Sequence, residues 1–267
     1  TIDGLITENR DQLRLLNRLA DAKHVDAVIV FVNSPGGTTT GGEALYEELR
    51  SLAEKKPVVA QFGTIAASAG YIVGLGADHI VSRGNTITGS VGVIMQWPEF
   101  VDLMGKIGVK MNEVKSGELK ASPNPFSPVD PESKAVIQSM IDEGFGWFKN
   151  LVETRRGVKV ADVPGLEKGR IYSGREAQTF KLVDEIGGEV EARRWLEDKK
   201  GVAKDLKIID WKPEEKSPWG LSASMNGLAR GLFGEAGAGL AEIVAKAGGG
   251  RTSSLDGLIS VWHPGQN

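Results

Sequence analysis

The sequence contains no cysteine and very little histidine. With no thiol among its 267 residues, the chain can form no disulfide, offers no cysteine nucleophile and cannot hold zinc through cysteine. Its three histidines are His24, His79 and His263. We therefore expect no metal site and no cofactor, and a mechanism that depends on histidine has few candidates.

The sequence also lacks long hydrophobic runs and blocks of like charge. No stretch of about 18 apolar residues occurs, so we predict no membrane-spanning segment and a chain that is itself soluble. The 32 basic and 35 acidic residues are well mixed, so nucleic acid is not an expected partner. The chain begins at Thr1 inside a predicted strand, and we expect that a signal sequence or membrane anchor precedes it in the full protein.

Apolar strands alternate with amphipathic helices along most of the sequence. This alternation, with continuously apolar strands, favours an α/β fold with parallel strands, whose sites lie at the carboxyl ends of the strands. Strands are predicted at residues 1–6, 26–32, 57–61, 79–82, 90–95, 111–115 and 206–211. Helices are predicted at residues 9–22 and 99–107, around Leu45, Leu49 and Leu52, from Asp130 with Val136, Met140, Phe148 and Leu151 buried, from a capping box at Ser173, and around Leu228, Leu232 and Phe233.

Ser68 lies where one predicted strand ends and a helix of small residues begins. The sequence there reads GTIAASAGY. A hydroxyl at a helix start is close to unpaired backbone N–H groups, which can stabilise negative charge on a bound carbonyl. Ser68 is therefore the candidate nucleophile.

A glycine turn follows the strand at residues 26–32 and reads NSPGG. Gly36 and Gly37 would let the backbone approach a ligand closely and direct an N–H inward, as an oxyanion hole or a peptide-docking site requires. The same residues also fit a plain strand-to-helix turn, and both interpretations stay open. We predict no regular structure across residues 33–42, NSPGGTTTGG.

The base that would activate Ser68 is the open question. His24 and His263 lie in surface-like sequence, and His79 opens a strand, so none is a good partner. A lysine can replace histidine if burial lowers its pKa from about 10.4 and leaves it neutral. Lys120 lies in SGELKASPNPF among small and apolar residues, with Glu118 as its near charge.

Five motifs, in this order, resemble the signal peptide peptidase A family of Ser-Lys peptidases. They are NSPGG, GTIAASAGY, ITGSVGV, VKSGELKASPNPF and GRIYSGREAQTFKLVDEIGG. The resemblance covers about residues 1–196 and is to the short, single-domain bacterial form. It implies a Clp protease/crotonase-like fold, a repeated ββα superhelix with a C-terminal helical and extended appendage. We divide the chain into a peptidase domain at residues 1–198 and an extension at residues 199–267.

The resemblance also implies which residues form the active site. Ser68 would be the nucleophile and Lys120 the general base, with the hydroxyl of Ser90 orienting the lysine amine.

The oxyanion hole would come from the Gly36–Gly37 turn and the N–H of Ala69. The family more often has glycine where this chain has Ala69 and an aromatic residue where it has Ile72. We therefore expect the shape of the specificity pocket to differ from that usual in the family.

The expected function is therefore that of a serine endopeptidase that cleaves extended apolar peptides. The resemblance implies remnant signal peptides as substrates at the bacterial cytoplasmic membrane, with the catalytic domain facing the periplasm or the outside. It also implies a homo-oligomeric ring in which the serine and the lysine of one site come from neighbouring protomers.

Three alternatives stay open at the level of the sequence. One is a peptidase with the same dyad and another substrate, such as a stomatin-like membrane protein or a phage head protein. Another is a crotonase-like acyl-CoA enzyme, which uses a similar glycine turn without a serine nucleophile. The third is a non-catalytic assembly module that retains the ring fold.

Overall fold

The computed structural model describes residues 1–213 and 259–261. Among these residues, 1–210 and 259–261 belong to one compact unit, and 211–213 fall in a second. The predicted helix around Leu228, Leu232 and Phe233 lies outside the described residues, and the predicted division at residue 198 stays a prediction.

The first unit is built on a mostly parallel β-sheet. Strands β1 (Ile2–Ile6), β2 (Val28–Thr38), β3 (Val58–Ala67), β4 (His79–Ser82) and β7 (Glu185–Ile186) lie side by side in that order, all parallel. Strand β5 (Ile87–Gly89) pairs in parallel with the end of β3, and β6 (Ile171–Ser173) pairs antiparallel with β5. Strand β8 (Ile259–Val261) pairs antiparallel with the end of β2. The predicted α/β fold is confirmed.

Helices cover both faces of this sheet. Their bounds are α1 Arg10–Asp21, α2 Thr39–Lys55, α3 Ala69–Leu75, α4 Val101–Lys106, α5 Pro131–Arg156, α6 Gly174–Thr179 and α7 Glu189–Lys200. Every residue of α3 is buried, and it packs against the sheet face that carries Phe62. On the opposite face, Ala192 and Leu196 of α7 pack against Val59 and Val81.

Local signals in the sequence set several helix ends. The side chain of Asn9 accepts hydrogen bonds from two backbone N–H groups at the start of α1. The carboxylate of Asp130 accepts one from the N–H of Ser133 at the start of α5. Ser173 and Glu176 form the predicted capping box of α6, with both hydrogen bonds at 3.2 Å. The predicted buried leucines Leu45, Leu49 and Leu52 of α2 are at most 1% exposed. The predicted helix starts at Asp130 and Ser173 and the predicted buried leucines are confirmed.

Other predictions of secondary structure were wrong. The segment predicted as irregular continues β2 as far as Thr38, and β3 runs to Ala67 rather than ending at Gln61. The strands predicted at residues 90–95, 111–115 and 206–211 do not form. A β-branched or apolar run becomes a strand only beside a sheet edge with which it can pair.

Helix α5 is buried along only part of its length. Phe148 and Leu151 are buried as predicted, but Val136 and Met140 are each 46% exposed. The carboxyl half of the helix packs near α3, where Arg155 donates hydrogen bonds to the carbonyl oxygens of Leu75 and Ala77. The prediction of one continuous buried side was therefore wrong for the amino-terminal half.

Two glycines in helices offer a matched test of how α3 is docked. A methyl group on Gly74 of α3 would lie 2.4 Å from two ring carbons of Phe62, whereas one on Gly146 of α5 meets no atom within 4 Å. We expect Gly74→Ala to lower the free energy of unfolding by about 1–3 kcal/mol through overpacking. Gly146→Ala should raise it by about 0.5–1 kcal/mol because alanine favours the helix. Urea unfolding of both variants checks this, and equal effects would contradict the tight packing of α3.

Candidate active site

Ser68 lies between the carboxyl end of β3 and the start of α3. Its side chain is 1% exposed. Its backbone adopts φ 56° and ψ −119°, a combination that costs a residue with a side chain on the order of 1–3 kcal/mol. Such a turn reverses the chain sharply while keeping the side chain at the end of the strand, and surrounding contacts must hold it.

Strand β5 supplies one of those contacts and brings Ser90 beside Ser68. Ala67 and Gly89 are paired in parallel, and the N–H of Ser68 donates to the carbonyl of Gly89 at 2.9 Å. Ser90 follows Gly89 directly, has φ 53° and donates its own N–H to the carbonyl of Arg170. Two serines with positive φ therefore follow paired residues of neighbouring strands.

The glycine turn lies on the other side of Ser68. The last register pair between β2 and β3 joins Ser34 to Ala66. Beyond that pair no further register pair joins the two strands. Ala67 of β3 still pairs with Gly89 of β5, while Gly36 and Gly37 of β2 pair with β1. The carboxyl ends of β2 and β3 thus form the two sides of a groove.

Strand β8 lies along that groove. It pairs antiparallel with residues 36–38 of β2, with Gly36 opposite Val261 and Gly37 opposite Ser260. Because the first edge of β2 is taken by β1, β8 uses the second edge, on the side where β3 has turned away. An extended segment can therefore add to the sheet here through its main chain, as peptides do in strand addition.

Asn33 holds the two strands together where they separate. Its side-chain oxygen accepts hydrogen bonds from the N–H groups of Thr64 and Ile65 at 3.1 and 3.4 Å, and its amide donates to Asp3 of β1 at 2.9 Å. Between register pairs Val32–Phe62 and Ser34–Ala66, β3 contains two more residues than β2. The Asn33 side chain thus supplies the partner that the bulged backbone needs.

Lys120 lies away from this buried group on an exposed segment. It is part of a turn in which its N–H donates to the carbonyl of Gly117 at 3.0 Å. Its amine makes no hydrogen bond or ion pair with the described part of the chain. The apolar side chains of the same segment are also exposed, with Ile107 at 66%, Met111 at 57% and Leu119 at 41%. In a single protomer the structure thus joins Ser68, Ser90 and the glycine turn, but no described contact joins them to Lys120.

His24 and His79 lie at the opposite edge of the sheet from Ser68 and do not act on it. His79 pairs with Val59 at the start of β3. Its ring stacks on that of Trp195 with 4.6 Å between ring centroids, and its Nε2 lies 3.4 Å from Oε2 of Glu185. His24 precedes β2. Since parallel strands share one direction, both lie at the amino-terminal edge, whereas Ser68 lies at the carboxyl-terminal edge. His263 is outside the described residues.

Tyr71 is the other buried polar group on α3, and it anchors the helix. Its hydroxyl donates to the carbonyl of Leu182 at 2.7 Å. Burial raises the pKa of Tyr71 well above its ordinary value, so the phenol stays protonated and does not serve as a base. Apart from the tyrosine in the serine motif, no sequence pattern indicates this hydrogen bond.

Within residues 1–213 and 259–261, no cluster of histidine, aspartate and glutamate side chains could hold a metal ion. Among the same residues, no helix is both long and apolar enough to cross a bilayer.

Comparison with known proteins assigns these features to a family. The sequence profile of peptidase family S49 matches residues 50–203, and that of Clp protease matches residues 6–85. A candidate protease of Synechocystis sp. is 35% identical over 193 residues, which cover 72% of this chain and 70% of that protein. Protease 4 of Haemophilus influenzae is 35% identical over 202 residues, covering 75% and 33% of the two chains. A candidate signal peptide peptidase SppA of Enterococcus faecium is 33% identical over 201 residues, covering 75% and 58%.

The backbone of Ser68 provides a test of its strained geometry. Ser68→Gly and Ser68→Ala both remove the hydroxyl, but only glycine adopts φ 56° and ψ −119° without strain. We expect the free energy of unfolding of the glycine variant to be about 1 kcal/mol higher than that of the alanine variant. This value allows for the greater freedom of glycine in the unfolded chain. Chemical denaturation of the two variants measures this difference. A more stable alanine variant would show that the turn is not strained.

Proposed function

The chain belongs to peptidase family S49 and is a serine peptidase, and from that premise we propose that Ser68 and Lys120 form its catalytic dyad, each supplied by a different protomer. The observation that carries this proposal is the division of the site within one protomer. Ser68, Ser90 and the glycine turn lie together at the buried carboxyl ends of strands, while Lys120 lies on an exposed segment.

Physical chemistry favours a second copy of the chain as the missing part. Water stabilises the charged form of an exposed amine, so an exposed lysine is a poor base. The segment that carries Lys120 also exposes Ile107, Met111 and Val114, which are the kind of side chains that an interface covers. Docking against another protomer would bury these side chains and place the amine in the surroundings where it is neutral. The Clp protease-like fold supports an oligomeric assembly of this kind.

The groove between β2 and β3 supports extended peptides as substrates. Strand β8 pairs antiparallel with residues 36–38, so a substrate in the same position would lie along β2 with its main chain beside the glycine turn. Backbone pairing does not depend on the sequence of the peptide, and the pockets for alternate side chains would set the preference. Apolar peptides suit a site surrounded by small and apolar residues.

The chemistry follows from these positions. The neutral amine of Lys120 takes the proton of the Ser68 hydroxyl as its oxygen attacks the carbonyl carbon of the scissile bond. The resulting oxyanion accepts hydrogen bonds from the N–H groups of Gly37 and Ala69. The protonated lysine then gives its proton to the leaving amine as the peptide bond breaks. In the second half of the reaction, the neutral lysine takes a proton from water as the water oxygen attacks the acyl carbon, and it returns the proton to the Ser68 oxygen as the ester bond breaks. The hydroxyl of Ser90 orients the lysine amine.

In this assignment Gly36 shapes the oxyanion turn, and Gly37 supplies the N–H. The N–H of Gly36 already donates to the hydroxyl of Ser34 at 3.1 Å. Gly36 has φ 128°, in the region that favours glycine, and it follows the point where β2 contains one more residue than β1 between the pairs Asp3–Asn33 and Leu5–Gly36.

We further propose remnant signal peptides as the substrates and the bacterial cytoplasmic membrane as the place of action, with the catalytic domain on its outer side. The name of the Enterococcus faecium relative, a candidate signal peptide peptidase, supports this choice over stomatin-like or phage head proteins. The S49 match favours a peptidase over an acyl-CoA enzyme or a non-catalytic module.

A complementation experiment tests the shared dyad. Ser68→Ala and Lys120→Ala are each expected to lose peptidase activity by at least a hundredfold. When the two variants are co-expressed with different tags and purified as mixed oligomers, about a quarter of the sites should combine a wild-type serine with a wild-type lysine, if the two types of protomer mix at random. Peptide turnover and the mass of fluorophosphonate adducts on Ser68 measure the recovery.

Two controls accompany this experiment. Lys110→Ala changes another exposed lysine of the same segment and should retain full turnover. Co-expression of Lys120→Ala with the double variant Ser68→Ala/Lys120→Ala should recover nothing. Mixed oligomers without activity, beside an active wild type, would show that each site lies within one protomer. Full activity in Lys120→Ala would exclude that lysine as the base.

A further inference from the structure

Ser34 is a buried polar residue that the proposed mechanism does not use. It is fully buried and lies in the last register pair of β2 with β3, opposite Ala66. Two residues later comes Gly36, at the glycine turn, and two residues after Ala66 comes Ser68. Ser34 therefore lies at the point from which both halves of the candidate site diverge.

The hydroxyl of Ser34 contacts both polar groups of Gly36. It accepts a hydrogen bond from the N–H of Gly36 at 3.1 Å and donates one to its carbonyl oxygen at 3.2 Å. That carbonyl belongs to the peptide bond between Gly36 and Gly37. Because a trans peptide is planar, with its N–H opposite its C=O, a hydroxyl that holds the carbonyl also sets the direction of the Gly37 N–H.

Glycine on both sides of this peptide leaves its orientation to backbone pairing and hydrogen bonds. Neither Gly36 nor Gly37 has a side chain to limit rotation of the peptide plane, so the pairing with β1 and β8 and the hydrogen bonds to Ser34 determine it. A hydrogen bond to the carbonyl also polarises the amide and strengthens the donor at its other end. The Ser34 hydroxyl thus acts on both the direction and the strength of the Gly37 N–H.

The main chain of Ser34 contacts the other half of the site. A methyl group on Gly70 would lie 2.7 Å from the carbonyl oxygen of Ser34, so the first turn of α3 packs directly against this residue. Gly70 is two residues after Ser68. One residue therefore contacts the glycine turn through its hydroxyl and the serine helix through its backbone.

We propose that Ser34 is a positioning residue for the peptidase reaction, which aims the Gly37 N–H at the oxyanion and sets its distance from Ser68. This inference rests on the proposed function, because it gives Gly37 the role of an oxyanion donor. It predicts that loss of the hydroxyl weakens binding of the tetrahedral state while leaving binding of an uncharged peptide nearly unchanged.

A pair of inhibitors separates these two effects. Acetyl-trileucine aldehyde forms a hemiacetal with the serine, whose oxygen takes the oxyanion position, whereas acetyl-trileucine amide binds only as a peptide. For Ser34→Ala we expect the affinity for the aldehyde and kcat each to fall about tenfold or more. This loss is smaller than the one caused by removing an oxyanion donor itself. Amide affinity and KM should change by no more than about twofold.

Ser82→Ala is the matched control. Ser82 is another fully buried serine, and its hydroxyl donates to a nearby backbone carbonyl, that of Arg83, at 3.1 Å. Its loss should lower thermal stability about as much as Ser34→Ala without changing the ratio of aldehyde to amide affinity. If Ser34→Ala does not fold, Ser34→Cys leaves no cavity, adds a slightly larger sulfur atom with weaker hydrogen bonding, and should show the same selective loss.

The outcomes distinguish this inference from the function on which it rests. A wild-type enzyme that binds the aldehyde, together with a Ser34→Ala or Ser34→Cys enzyme of unchanged aldehyde affinity, would overturn the role of Ser34 alone. Equal losses of aldehyde and amide affinity would do so as well, because they would indicate a general structural defect. Failure of the wild type to form any adduct at Ser68 would overturn the proposed function and this inference with it.

Discussion

The separation of β2 from β3 beyond Ser34 and Ala66 is the feature on which the candidate site depends. The two strands are regular parallel neighbours as far as Val32 and Phe62, and after a bulge in β3 they pair once more at Ser34 and Ala66. After that pair, β2 stays beside β1, whereas β3 pairs with β5. Two glycines and a serine are thereby left on opposite sides of a groove, with backbone groups available to an extended chain. Without this separation the same residues would be buried in the sheet.

Separating two strands inside a protein leaves backbone groups that need new partners. The side chains of Asn33, Thr86 and Thr88 provide them. Asn33 accepts from the bulged part of β3, and the hydroxyls of Thr86 and Thr88 donate to the carbonyls of Gly63 and Ala66 at 2.6 and 2.7 Å. These polar residues therefore have a structural role, since their hydrogen bonds hold β3 in the position that Ser68 requires.

The two parts of the proposed dyad differ in how strongly a single protomer holds them. Ser68 lies between a buried strand and a fully buried helix, and its N–H is bonded to β5. Lys120 lies on a segment without strands, whose apolar side chains face water. A rigid nucleophile and an exposed base are consistent with an enzyme that is complete only after assembly, and assembly would then act as a control on proteolysis.

Features that depend on near neighbours in the chain could be predicted from the sequence. The caps at Asn9, Asp130 and Ser173, the leucine side of α2 and the serine at the start of α3 follow from spacing and local hydrogen bonding. The motifs were enough to indicate the family and its serine chemistry. Because the sequence has few histidines, a lysine was the predicted general base.

Tertiary structure decided what depends on distant partners. β2 continues through residues 36–38 because β1 and β8 pair with it there. Residues 111–115 form no strand, and among residues 1–213 and 259–261 no strand pairs with them. Val136 and Met140 are exposed although their spacing suits a buried helix side. The proposed role of Ser34 could not be predicted from the sequence, because it depends on where its hydroxyl and carbonyl lie relative to Gly36 and Gly70. Periodicity determines which faces a chain can bury, but only the folded neighbours determine which of them it does bury.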